Sequence, residues 1–215
     1  MANKTRMLLF DLDGTLIQYP SSKFQSTWDA VGVAAGVEKE FEDNLEKFYE
    51  HSHLWNQWAK EDAELLKGKD FNEVKRKVME LIVYSPGVEE LFNTLSGKYQ
   101  KGILSNGLGF VANELCQNFG LGFYMADELS VKEGKFTGEV VAGMPNRDKT
   151  KGLEMICDKY QVEPQQICYV GDHENDLVVF KEVGKAVAFN PKTEEVREKA
   201  HYVISDFKEL LKIIE

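Results

Sequence analysis

From about Ser85 onward, short apolar runs alternate with helix-like stretches, and the apolar runs tend to end on small or acidic residues. Gly102-Ile103-Leu104 stops at Ser105-Asn106-Gly107, and Ile167-Cys168-Tyr169-Val170 stops at Gly171-Asp172. The chain opens the same way, with Met7-Leu8-Leu9 and Phe10 running into Asp11-Leu12-Asp13. Strands that alternate with helices pair in parallel, because a crossover helix brings the chain back to the same edge of the sheet. The pattern therefore predicts an α/β fold with a doubly wound (Rossmann-like), mostly parallel sheet covered by helices on both faces. Its polar stops would gather at the carboxyl edge, where open α/β sheets bind ligands.

The remaining punctuation predicts further elements. A helix is expected from Ser85-Pro86-Gly87 to about Leu95, with Pro86 near its first position. Another follows Gly107 to about Phe119. Phe123–Ala126 reads as a strand, and Leu129–Lys132 with Lys135–Val140 as a hairpin turning at Glu133-Gly134. Helices are expected at Lys149–Tyr160, after Asp172 and from Asp206, with strands at Ala186–Phe189 and Tyr202–Ile204. Between Ile17 and Tyr84 the alternation stops, and helix formers dominate Glu38–Tyr49, Leu54–Leu66 and Asn72–Val83. Val74, Val78, Leu81 and Ile82 in the last stretch have helical spacing. Residues 18–84 read as a small helical insertion over the rim of a core formed by 1–17 and 85–215. Segments 18–22 and 84–86 would be its two connecting strands.

Asp11 and Asp13 sit just past the first strand and, if the chain stays extended, project to the same side. Two such charges need a cation between them or a proton on one, so the pair points to metal binding, acid–base chemistry or both. The chain of 215 residues carries 36 acidic against 26 basic residues, a formal charge of −10. That balance argues against a nucleic-acid surface, which needs clustered Lys and Arg. Cys116, Cys157 and Cys168 are isolated and match no metal spacing, as expected of free thiols in a reducing compartment. The apolar run before Asp11 is too short for a signal peptide and no segment is long enough to span a membrane, so a cytoplasmic location is expected.

In order, the rim reads Asp11-x-Asp13-Gly14-Thr15, Ser105-Asn106-Gly107, Lys149 or Lys151, and Gly171-Asp172-His173-Glu174-Asn175-Asp176. This resembles the haloacid dehalogenase superfamily of phosphatases and phosphotransferases over essentially the whole chain. Ala126-Asp127-Glu128-Leu129, Gly134-Lys135-Phe136-Thr137-Gly138 and Ala200-His201-Tyr202-Val203-Ile204 resemble its phosphoserine phosphatase branch. The resemblance implies a phosphatase acting on a small phosphorylated metabolite. Asp11 would be the nucleophile that becomes an aspartyl-phosphate, and Asp13 the general acid and base. Mg2+ would be held by Asp11, the Asp13 carbonyl and Asp172, with Asp176 orienting a bound water. Ser105, the Asn106 and Gly107 N–H groups and a lysine would hold the phosphoryl oxygens. Lys149 is favoured for that lysine, because Leu153 and Ile156 follow it at helical spacing. Asn175 would face substrate, although it can also simply cap a helix.

The residues by which the phosphoserine phosphatase branch holds the amino and carboxylate groups of phosphoserine are not matched. No acid stands at Gln18-Tyr19-Pro20 and no arginine at Trp58–Leu66, where Lys60 is the one candidate substitute. The resemblance therefore carries the chemistry further than the substrate. A phosphomutase of the same superfamily and a non-catalytic phospho-switch are the alternatives. The first position of Asp11 and the presence of Asp13 weigh against the switch. His51-x-His53 with Trp55 and Trp58 reads as packing or pocket lining, since no third metal ligand accompanies it, and His173 is left open.

Overall fold

The computed structural model describes residues 4–20, 25–48, 51–95 and 97–214. The chain begins with strand β1, Met7–Phe10, all four residues buried, followed by the short β2, Ile17–Gln18. Four helices come next: α1, Thr27–Ala35; α2, Glu38–Phe48; α3, Trp55–Leu65; and α4, Phe71–Leu81. Then β3, Val83–Tyr84, leads into α5, Val88–Thr94, β4, Gln100–Leu108, and α6, Gly109–Phe119. The hairpin β5, Phe123–Lys132, and β6, Lys135–Val141, precedes α7, Lys149–Tyr160. The remainder is β7, Ile167–Gly171; α8, Leu177–Phe180; β8, Lys185–Phe189; α9, Glu194–Lys199; β9, Tyr202–Ile204; and α10, Leu210–Ile214.

Seven strands form one sheet in the order β6-β5-β4-β1-β7-β8-β9, parallel throughout except for the edge strand β6. Side chains alternate across a strand, so the sheet builds a core on each face. Leu8, Phe10, Val170 and Phe189 face one side with Leu91 of α5, Leu115 of α6 and Leu210 of α10. Met7, Leu9, Tyr169 and Ala188 face the other with Leu153 and Ile156 of α7 and Val179 of α8. The first core continues into the helical segment through Trp28, Val31, Phe41 and Val78. Cys116 and Cys168 are buried and Cys157 half-buried, all as free thiols. Among the described residues no helix is long and apolar enough to cross a membrane.

Three local details differ from the sequence reading. Pro86 does not enter a helix: Gly87 takes a left-handed conformation (φ 79°) and caps α5 one residue later. That turn docks the tail instead, with the Phe207 N–H donating to the Pro86 carbonyl at 2.8 Å. Helix α1 was not anticipated. Its sequence, with Gly32 and two valines, is a weak helix former, but Ser26 and Asp29 make a reciprocal capping box and Gly36 closes it in the left-handed conformation. Finally, β4 continues through Ser105-Asn106-Gly107, and its register against β5 shifts between Leu104 and Leu108. Tyr49 and residues 21–22, included in the predicted elements, lie outside the described residues.

The helical segment is joined to the sheet in two places. Strands β2 and β3 pair antiparallel, Ile17 with Tyr84 and Gln18 with Val83. Farther along, the α3–α4 turn pairs with the β5–β6 hairpin: Gly68 N–H to Phe136 carbonyl at 2.8 Å, Phe136 N–H to Lys69 carbonyl at 3.1 Å, and Phe71 N–H to Gly134 carbonyl at 2.8 Å. The hairpin turn has positive φ at Glu133 (52°) and Gly134 (75°), as a tight two-residue loop requires.

Candidate active site

Strands β4, β1 and β7 are neighbours at the centre of the sheet, so their carboxyl ends bring Ser105, Asp11, Asp13 and Asp172 to one place. They line one end of a cavity of about 610 Å³, together with Asn106, Gly107 and the exposed Asn175 and His173. Asp11, at 4% exposure, accepts a hydrogen bond from Lys149 Nζ at 2.8 Å. The same ammonium donates to Asp176 Oδ1 at 2.6 Å and to the Tyr169 hydroxyl at 3.2 Å. Burial works against the Lys149 charge, but the two carboxylates outweigh it and hold the group above the ordinary lysine range. Lys151, by contrast, is exposed and paired with Glu154 at 2.8 Å. Lys60 is also exposed and does not line the cavity.

Asp11 and Asp13 are held quite differently. Asp13 accepts from the Tyr19 hydroxyl at 2.5 Å, from the Thr27 N–H at 3.0 Å and from the Thr27 hydroxyl at 3.1 Å. Burial, with the nearby Asp11 charge, pushes its pKa up to about 7 against these hydrogen bonds. Gly107 makes this seat possible, since a Cβ there would lie 2.6 Å from Asp13 Oδ2. The Gly107 N–H donates to the Ser105 hydroxyl at 3.0 Å, so in this structure its hydrogen bond is internal to the loop.

Asp172 accepts from the Thr15 hydroxyl at 2.9 Å and lies where a Gly14 Cβ would clash at 2.2 Å, so the glycine after Asp13 makes room for it. Burial, reinforced by Asp11 and Asp176, raises Asp172 to about 8. Burial raises Asp11 too, against the pull of Lys149. Asp11, Asp172 and Asp176 each present an oxygen within 4.8 Å of the others. With all three carboxylates ionised, the single Lys149 charge leaves two negative charges, which fits a divalent cation with oxygen ligands. Asp176 is the least free of the three. One of its oxygens accepts from Lys149 and the Tyr169 hydroxyl, and the other from the Asp172 and His173 N–H groups at 2.9 and 3.1 Å.

Tyr19, Thr27, Tyr169 and Arg147 were given no part by the sequence reading. Arg147 lines the cavity, donates to the Asn106 carbonyl, pairs with Asp127 at 3.0 Å and lays its guanidinium 3.3 Å from the Trp55 ring centroid. Burial lowers its pKa to about 10, opposed by Asp127. Its position two residues before Lys149 was legible, but nothing local marks that turn. Trp55 and Trp58 line the cavity, with ring centroids 4.6 Å apart. His51 and His53 are exposed, ring to ring at 5.9 Å, and do not line it.

A mostly parallel sheet whose central strand ends in a buried, lysine-held aspartate, with Asp13 two residues on and Asp172 and Asp176 beside it, is an α/β fold with a carboxylate-rich site at the carboxyl edge. The sequence profile of the haloacid dehalogenase-like hydrolases matches residues 5–184, and the chain belongs to that family. It is 31% identical over 219 residues to a phosphoserine phosphatase of Methanocaldococcus jannaschii, with both chains fully covered. A phosphoserine phosphatase of Streptococcus thermophilus is 28% identical over 217 residues, covering 100% of this chain and 97% of the other. Among solved structures, a phospho-aspartyl intermediate analogue of phosphoserine phosphatase superposes with a TM-score of 0.77 at 29% identity, covering 99% of this chain and 100% of that one.

Proposed function

We propose that the chain hydrolyses a small phosphomonoester through an aspartyl-phosphate on Asp11. The observation that carries this reading is the division of labour between two neighbouring carboxyls. Asp11 is bound to a buried ammonium at 2.8 Å, whereas Asp13 sits among hydroxyl and amide donors. An oxygen of Asp11 attacks phosphorus, the ester bond breaks, and Asp13 gives its proton to the departing alkoxide. Asp13 then takes a proton from water, the water oxygen attacks phosphorus, and Asp11 is regenerated with release of inorganic phosphate. A carboxyl that keeps its proton near neutral pH is suited to the first role and, once ionised, to the second.

Lys149 would neutralise charge on the phosphoryl oxygens, with Ser105 and the Asn106 N–H as further donors. Asn175 would meet the bound ester from the cavity wall. Mg2+ would be held by Asp11, the Asp13 carbonyl and Asp172, and would supply charge neutralisation between nucleophile and phosphate. Asp176 holds Lys149 and the start of the loop after β7. The helical segment, residues 18–84, would act as a cap that selects the alcohol. A phospho-aspartyl form has been named for a structural relative, which supports the intermediate assigned here.

The test is phosphate release from an aryl phosphate with and without Mg2+. Activity should require the metal and fall by at least about a thousandfold in Asp11→Asn, since a missing nucleophile costs several kcal/mol of barrier. Full activity in that variant would overturn the mechanism.

A further inference from the structure

Arg147 and Lys192 are the arginine and lysine that line the cavity among the described residues; Lys192 lies by the Asp172 loop, and Arg147, its charge paired with Asp127, reaches from Asn106 to the ring of Trp55. Arg147 is bound to Asn106 and Asp127, while the Lys192 N–H donates to the Asp172 carbonyl at 2.9 Å. The opposite wall, from α1, α2 and α3, contributes Asp29, Glu38, Glu42 and Asp62 with the faces of Trp55 and Trp58. Of the carboxylates on these helices that do not line the cavity, Asp43 pairs with Lys39 at 2.5 Å, Glu61 with Lys47 at 2.6 Å and Glu64 with Lys67 at 2.7 Å. None of the four on the cavity wall has an ion-pair partner among the described residues.

Asp62 is the clearest of them. It is 2% exposed and lines the cavity, with Asn44 Nδ2 donating at 2.8 Å and the Trp58 indole as its other polar neighbour. An anionic side chain buried without a cation is costly, and the indole faces beside it attract positive charge. The Arg147 guanidinium over Trp55 shows that this wall already accepts one cation.

We infer that the site selects a phosphomonoester whose alcohol carries an ammonium group and no carboxylate. The phosphate meets Asp11, Ser105 and Asn106 on one side of the cavity, with Lys149 behind Asp11, and the ammonium meets Asp62, Glu42 and the indoles on the other. A substrate carboxylate would be repelled there. This rests on the phosphatase reading above and narrows it.

The test compares phosphate release from phosphoethanolamine and phosphocholine with that from glycerol phosphate, phosphoserine and an aryl phosphate. The ammonium esters should exceed glycerol phosphate by about tenfold or more in kcat/KM, and phosphoserine should fall below phosphoethanolamine. Glu42→Gln, on an exposed position, and Asp62→Asn should each shrink the ratio of ammonium ester to glycerol phosphate. Aryl phosphate turnover with phosphoserine or glycerol phosphate equal to or better than the ammonium esters would overturn the inference and leave the phosphatase reading intact. Should no ester be hydrolysed, the phosphatase reading falls, and tryptophan fluorescence of the metal-free protein decides this one. Tighter binding of phosphoethanolamine than of glycerol phosphate supports it, and equal binding overturns it.

Discussion

Lys149 shows how a single position can be read from spacing and still gain its meaning only in three dimensions. Helical periodicity placed it on the inner face of α7, and the structure buries it between Asp11 and Asp176, carboxylates from two different loops. Asp62 shows the converse. It lies on α3 with nothing in the sequence to mark it, because its burial comes from α2 packing across α3 and from Asn44. Burial raises its pKa from 3.8 to about 7, so the folded state holds this proton more tightly than the unfolded chain. Its contribution favours folding most at low pH and declines as pH rises through the window from 3.8 to about 7. Asp62→Asn should therefore gain about 1–3 kcal/mol over the parent between pH 4 and pH 8, a difference that levels off above pH 7. Urea unfolding at several pH values checks this; a pH-independent difference would show that Asp62 ionises normally. Arg147 was illegible for a similar reason, since its three contacts come from β4, β5 and α3.

At the scale of elements, the alternating half of the chain was legible almost throughout, because strand and helix periods differ and the polar stops mark strand ends. The helical half was legible where amphipathic pattern was strong, as in α4 with Val74 and Val78 buried. It failed at α1, whose mostly buried residues have no polar face to reveal a period. The usable signal there was the pair Ser26 and Asp29, followed by Gly36. That helix matters to the chemistry, because its first residue, Thr27, holds both oxygens of Asp13. Ser26→Ala should cost about 1 kcal/mol, lowering Tm by roughly 2–4 °C, and should lower kcat more than it raises KM. Thermal melts and aryl phosphate kinetics check this; a pure KM effect would place α1 in binding alone. The shift in β4 at Ser105-Asn106-Gly107 was also beyond the sequence, since that tripeptide reads equally well as an ordinary turn.

For the whole molecule, a net charge of −10 sets a general repulsion toward phosphate esters, and attraction must come from the few buried cations at the floor of the cavity. The second junction of the helical segment, between the α3–α4 turn and the β5–β6 hairpin, bears on its motion. The amides of Gly68, Phe71 and Phe136 should exchange hydrogen as slowly as those inside the hairpin, because each is bonded across the junction. Exchange mass spectrometry would show this directly, and rapid exchange at Gly68 and Phe71 would mean that the junction opens freely.

A flap hung on the β2–β3 ribbon alone would keep an axis about which to swing. A separate attachment off that axis should oppose the rotation, as the third leg steadies a stool. The chamber of about 610 Å³ should then keep close to these dimensions during turnover. If the junction holds, the largest ester admitted should be set by masonry rather than by how wide a door can open.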